Sequence, residues 1–71
     1  MKVFRIHPSA PYTGGAAYVA ANTEKEAINE FIIDSFNDYR FSVYNCTCAL
    51  CEGLTYDSSE PMLLFDDIYV E

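Results

Sequence analysis

Cations are scarce in this chain. Lys2, Arg5, Lys25 and Arg40 face eleven acids across 71 residues, for a net charge of −7. The four are scattered, whereas holding a phosphate backbone takes several grouped Lys and Arg side chains, so direct nucleic-acid recognition is disfavoured. Anionic membrane surfaces are disfavoured on the same ground. Long apolar runs are missing too: none approaches the roughly 20 residues of a membrane-spanning helix. The opening Met1-Lys2-Val3-Phe4-Arg5-Ile6 enters strand-like sequence at once, without the apolar stretch and small-residue cleavage site of a signal peptide. Cysteine occurs three times, an odd number that does not suit a closed disulfide framework. A reducing cytoplasm is the expected compartment.

What is present is enough for one small folded domain, residues 1–71. Apolar residues make up 51% of the chain, ordinary for a globular protein and too many for a disordered one. A core of this size leaves a net stability of roughly 3–5 kcal/mol, and such chains often add a metal, disulfides or a second copy of themselves. With no strong metal motif, self-association is the simplest of these, and a homo-oligomer is expected.

The strongest local pattern runs over residues 16–39. Ala16-Ala17-Tyr18-Val19-Ala20-Ala21 reads as a strand, with Ala17, Val19 and Ala21 on one face and Ala16, Tyr18 and Ala20 on the other. Thr23-Glu24-Lys25-Glu26 then has the form of a capping box, in which a Thr hydroxyl and a Glu three residues on satisfy each other's backbone N–H groups. Ile28, Phe31, Ile32, Phe36 and Tyr39 keep the spacing of one helical stripe. The alanines of the strand leave a shallow surface that lets such a helix approach closely.

Residues 2–7 alternate as a strand that Pro8 ends, and residues 8–15 are turn chemistry, so the first two strands are expected to pair antiparallel. Residues 41–50 alternate again, with Tyr44, Cys46, Cys48 and Leu50 on one face. Glu52-Gly53 reads as a turn and residues 54–56 as a short return strand. Residues 62–70 read as a final strand, apolar on both faces at Leu63-Leu64-Phe65 and so expected at the centre of its sheet. Asp66-Asp67 interrupts it as a bulge. The fold class is α+β: a single antiparallel sheet of four to five strands, ordered β-β-α-β-β-β, with one amphipathic helix packed on one face. Its other face is expected to meet a partner, since a sheet rich in Tyr, Phe and Val should not leave a broad apolar patch in water.

Chemistry-bearing residues are few. Cys46, Cys48 and Cys51 lie within six residues, with His7 as the lone imidazole. Structural zinc usually shows two separated ligand pairs, so these four are minor metal candidates, and buried thiols acting as small hydrophobes is the preferred reading. His7 is expected as an exposed strand-end residue. Gly14-Gly15 precedes a strand and lacks the following Lys-Ser/Thr of a phosphate loop. Asp57, Glu60, Asp66 and Asp67 lack calcium-loop spacing. No cofactor is implied, and no acid–base pair or nucleophile set can be assembled, so an enzyme is the least favoured class. Six tyrosines and five phenylalanines are more telling, because tyrosine offers contact area and a polar tip at low entropic cost. Phe31, Phe36 and Phe65 are assigned to the core. Tyr12, Tyr18, Tyr56 and Tyr69, with Asp66 and Asp67, are assigned to a partner-binding surface.

The stretch Tyr18-Val19-Ala20-Ala21-Asn22-Thr23-Glu24-Lys25-Glu26-Ala27 resembles a module of small bacterial and phage proteins: a strand ending in a small residue, a Ser/Thr cap, and a Glu-Ala pair on the first helical turn. The resemblance covers about a third of the chain and implies a β-β-α-β-type domain. Some phage-encoded members of similar size inhibit host defence complexes by binding a basic surface, and no functional residue carries over from them. The expected function is thus protein binding, to a partner or to itself. The alternatives are an acidic inhibitor or nucleic-acid mimic on a basic protein surface, and a minor metal or thiol function at the cysteines.

Overall fold

The computed structural model describes residues 1–8, 13–34 and 46–70. Tyr12, the end of the expected helix (Phe36 and Tyr39 included) and residues 41–45 of the expected strand lie outside them. The elements are β1 (Lys2–Pro8), β2 (Thr13–Gly14), β3 (Ala17–Ala21), α1 (Glu24–Asp34), β4 (Cys46–Thr55), β5 (Met62–Asp66) and β6 (Tyr69–Val70). Four strands form one antiparallel sheet in the order β4-β1-β3-β5, and β2 pairs with β6 in a separate two-stranded ribbon. The helix packs on the main sheet, so the α+β architecture is the one expected.

The first two long strands pair as their alternation requires, with Phe4 opposite Val19 and Ile6 opposite Ala17. Phe4, Ile6, Ala17, Val19 and Ala21 form the floor of the core, and Ala27 and Phe31 of α1 close it, with Ile28 and Ile32 at its margin. Phe31, Ile6 and Val19 are its largest fully buried side chains. Helix entry differs in detail from a capping box. The Glu26 N–H donates to Thr23 Oγ1 at 3.2 Å as expected, but the Glu26 carboxylate accepts from the N–H of Asn22 at 3.3 Å, one residue ahead of the cap.

Three expectations change in the second half of the chain. Glu52-Gly53 does not turn the chain back. Leu50 lies opposite Phe4 and Thr55 opposite Lys2, so residues 51–54 bulge against the single residue Val3 while β4 continues along β1. Gly53 takes a φ of 82°, which a bulge needs as much as a tight turn does. The last strand is not central: β5 is an edge, with Leu63 and Leu64 half-buried and Phe65 57% accessible instead of in the core. The bulge of β5 falls at Leu64, because Val19 faces Leu63 and Tyr18 faces Phe65. At Asp66-Asp67 the chain leaves the main sheet for the ribbon. The Asp66 carboxylate accepts from the N–H of Ile68 at 3.0 Å, and the N–H of Asp67 donates to the carbonyl of Ala16 at 3.0 Å.

Gly15 and Gly53 share a positive φ but not a setting. A Cβ on Gly15 would meet the backbone carbonyl of Asp67, whereas a Cβ on Gly53 would meet nothing. Gly53→Ala should therefore cost about 1 kcal/mol, the strain of a left-handed L-residue alone. Gly15→Ala should cost on the order of 3 kcal/mol, because backbone must also move. Urea midpoints followed by circular dichroism check the pair, and equal costs would refute the close approach.

Candidate functional site

Register builds the site. Residues directly opposite in adjacent strands share a face, and alternation sends Phe4 and Ile6 toward the helix. The other face therefore carries a row that crosses all four strands: Ala49, Arg5, Tyr18 and Phe65. Beside it lies a second row of Val3, Ala20 and Met62. Val3 and Ala20 are buried although they share this face, so part of it is covered, while Met62 is 44% accessible. Tyr18 and Phe65 stand together, ring centroids 6.4 Å apart and tilted by 46°, within the separation at which aromatic pairs interact. Arg5 and Ala49 are exposed.

The expected partner-binding residues do not gather in one patch. Tyr18 is half-buried at the centre of this open face. Tyr56 lies just past β4, where its N–H donates to the Met1 carbonyl at 2.8 Å and its own carbonyl accepts from the terminal ammonium at 2.6 Å. Tyr69 sits at the other end of the molecule in β6, its phenol filling the space a Cβ on Gly14 would need. Asp66 and Asp67 are exposed where β5 ends, and Asp66 also holds the turn that follows it. Phe65, Met62 and Arg5 join the site through register alone. Nothing in the local pattern of residues 62–65 reveals that Phe65 stands opposite Tyr18.

The cysteines form a different locale. Cys46 and Cys48 project to the helix side of β4 and pack half-buried against the core, and all three thiols are free. Burial raises the Cys46 thiol, and Cys48 is pushed up to about 11, first by burial and then by the negative charge of Glu24 and the neighbouring cysteines. Such thiols stay protonated at neutral pH, whereas metal binding and nucleophilic attack need the thiolate. His7 does not complete the set. It pairs with Thr47 on the opposite face of the sheet, and it is half-buried rather than exposed, with Nδ1 bonded to the Gly15 carbonyl at 2.6 Å. Among the described residues no group of three or more His, Cys, Asp or Glu is placed to hold a metal ion. A shallow depression beside α1, lined by Glu24, Lys25, Ile28 and Asn29, brings together no nucleophile and base. No described helix is long and apolar enough to cross a membrane.

Comparisons with protein-family models, curated proteins and solved structures find no match to this chain. The site is therefore read from its own chemistry.

Two outcomes test the thiol environment. At pH 8, Cys48 should react with iodoacetamide about tenfold more slowly than an unhindered peptide thiol: its thiolate is roughly a hundredfold scarcer, offset in part by greater intrinsic nucleophilicity. Peptide mapping by mass spectrometry reads this directly, and an equal rate would refute the raised pKa. Cys48 also links stability to pH. Its folded pKa of about 11 lies above the model value of 9.0, so its contribution is complete below pH 9 and is lost as pH rises through 11. The urea midpoint of the protein should fall more steeply over that window than that of Cys48→Ser. Parallel curves would refute the linkage.

Proposed function

We propose that the protein acts by binding another protein through the exposed residues on the sheet face away from the helix, without chemistry of its own. The observation that carries this reading is the row Ala49–Arg5–Tyr18–Phe65, which sets an aromatic pair and an arginine side by side on an exposed surface. Tyr and Arg are enriched among residues that dominate binding energy, and such anchors work at the centre of a patch with polar groups around it. Here Met62 extends the apolar centre and exposed Thr47 supplies polar rim, while Asp66, opposite Ala17, belongs by register to the helix side. The matching partner surface is apolar at its middle and polar or basic at its edge.

The acidic-mimic reading has one observation in its favour. Asp57 and Glu60 precede β5 and Asp66 and Asp67 end it, all four exposed. Arg5 in the middle of the open face interrupts any continuous negative surface there, which ranks this reading second. The three free thiols suit a reducing compartment, and the cytoplasm is proposed on that basis.

Affinity capture from native extract with the protein and with a Met62→Lys/Phe65→Lys variant separates these readings. Both replaced side chains are largely exposed, so the variant should keep the circular dichroism of the parent. A protein retained at physiological salt by the parent, and at least tenfold less by the variant, is the expected result. Equal recovery by both would refute the open face as the contact. Complete release in about 0.5 M salt would favour the acidic mimic, since exposed charge contacts are screened there.

A further inference from the structure

The two edges of the sheet are built differently. The β5 edge is five residues long, is kinked by the bulge at Leu64, and has exposed acids before it, at its end and after it: Asp57, Glu60, Asp66 and Asp67. Short length, a bulge and charge are the devices that keep an edge strand from pairing with another chain. The β4 edge has none of them over its first half. Residues 46–50 keep a regular register with β1, and residues 46–51 carry no charge and no proline. Thr47, Ala49 and Leu50 are exposed, Leu50 at 46%, although Leu50 lies on the helix side of the sheet. Among the described residues no strand runs along the outer side of β4. Among the described residues this edge is bare over residues 46–51, and the acids beside it are Glu52, which follows that run, and Glu24, whose charge reaches Cys48.

We propose that β4 pairs antiparallel with β4 of a second copy, about a two-fold axis through Cys48. That register uses all five residues of the regular run and is self-complementary. On the helix side it sets Cys46 opposite Leu50 of the second copy, Leu50 opposite its Cys46, and the two Cys48 residues opposite each other. On the open side Thr47 meets Ala49 in both directions. No charged residue is opposed. The acids of β5 stand three and a half strand spacings from the seam, about 17 Å, beyond the Debye length of roughly 8 Å at physiological salt. The product is a continuous eight-stranded sheet in which the exposed half of Leu50 is covered, the two helices lie on one side, and the two open faces merge on the other. This dimer does not depend on the binding role proposed for the open face, which it leaves free.

Sedimentation equilibrium across a concentration series tests it. The mass should rise from the monomer's 8.0 kDa toward twice that value, and Leu50→Lys, which places a charge on the seam, should raise the dissociation constant at least tenfold with circular dichroism unchanged. Two further measurements hold if that variant folds poorly. Amide exchange in residues 46–50 of the parent should slow with concentration. A Cys46→Ser/Cys51→Ser variant should form a disulfide-linked dimer with diamide, whereas Cys48→Ser/Cys51→Ser should not. The Met62→Lys/Phe65→Lys variant should dimerise like the parent, so failure of the seam and failure of the open-face reading are told apart. A protein that stays monomeric at about 1 mM, above the range of even weak specific contacts, overturns the proposal. So does a dimer indifferent to Leu50→Lys.

Discussion

The distance between α1 and β3 governs this fold. Ala17 and Ala21 of β3 and Ala27 of α1 share one core cluster with Phe31, Ile6 and Val19, all of them fully buried. A core this small has few large side chains to spare, and close packing of small ones lets two phenylalanines, Phe4 and Phe31, fill it. β1 is then held at the centre of the sheet, because Phe4 and Ile6 are buried only while β3 and β4 flank them. Enlarging any alanine of that floor would lift the helix from both strands at once.

Features that depend on near neighbours were legible before the structure. The cap at Thr23, the stripe through Ile28, Phe31 and Ile32, the antiparallel first pair and the half-buried alternation of residues 46–50 are set by spacing within a few residues. What was not legible depends on which strand lies beside which. A Gly with positive φ serves a tight turn and a bulge equally, so Glu52-Gly53 looked like a reversal although β4 runs on to Thr55. An apolar run such as Leu63-Leu64-Phe65 suits a buried central strand or an exposed edge meant for contact, and only the strand order decides. Phe65 stands outside the core for that reason.

The candidate site shares this division. Tyr18 was identifiable because its face of the strand was known from alternation. Its partners Arg5 and Phe65 were not, since one precedes it by thirteen residues and the other follows by forty-seven. Tyr56 and Tyr69 were chosen by residue type, and the fold sends them to opposite ends. The cysteines illustrate the reverse error that spacing invites. They are close in sequence and near in space, yet burial and Glu24 keep Cys48 protonated, so proximity there raises pKa instead of making a ligand set.

The order of strands also shapes how the chain is completed. Both flanks of the sheet, β4 and β5, come from the last third of the sequence, and only residues 56–61 carry the chain from one side to the other. During synthesis the first hairpin and α1 emerge together and can close most of the core, but neither side of that hairpin is covered. The outer strands then add in sequence, β4 against β1 first and β5 against β3 last. A chain halted before Met62 would hold the helix-covered core while β3 still offers an unpaired side, so the pairing of β5 is what closes that side of the hairpin.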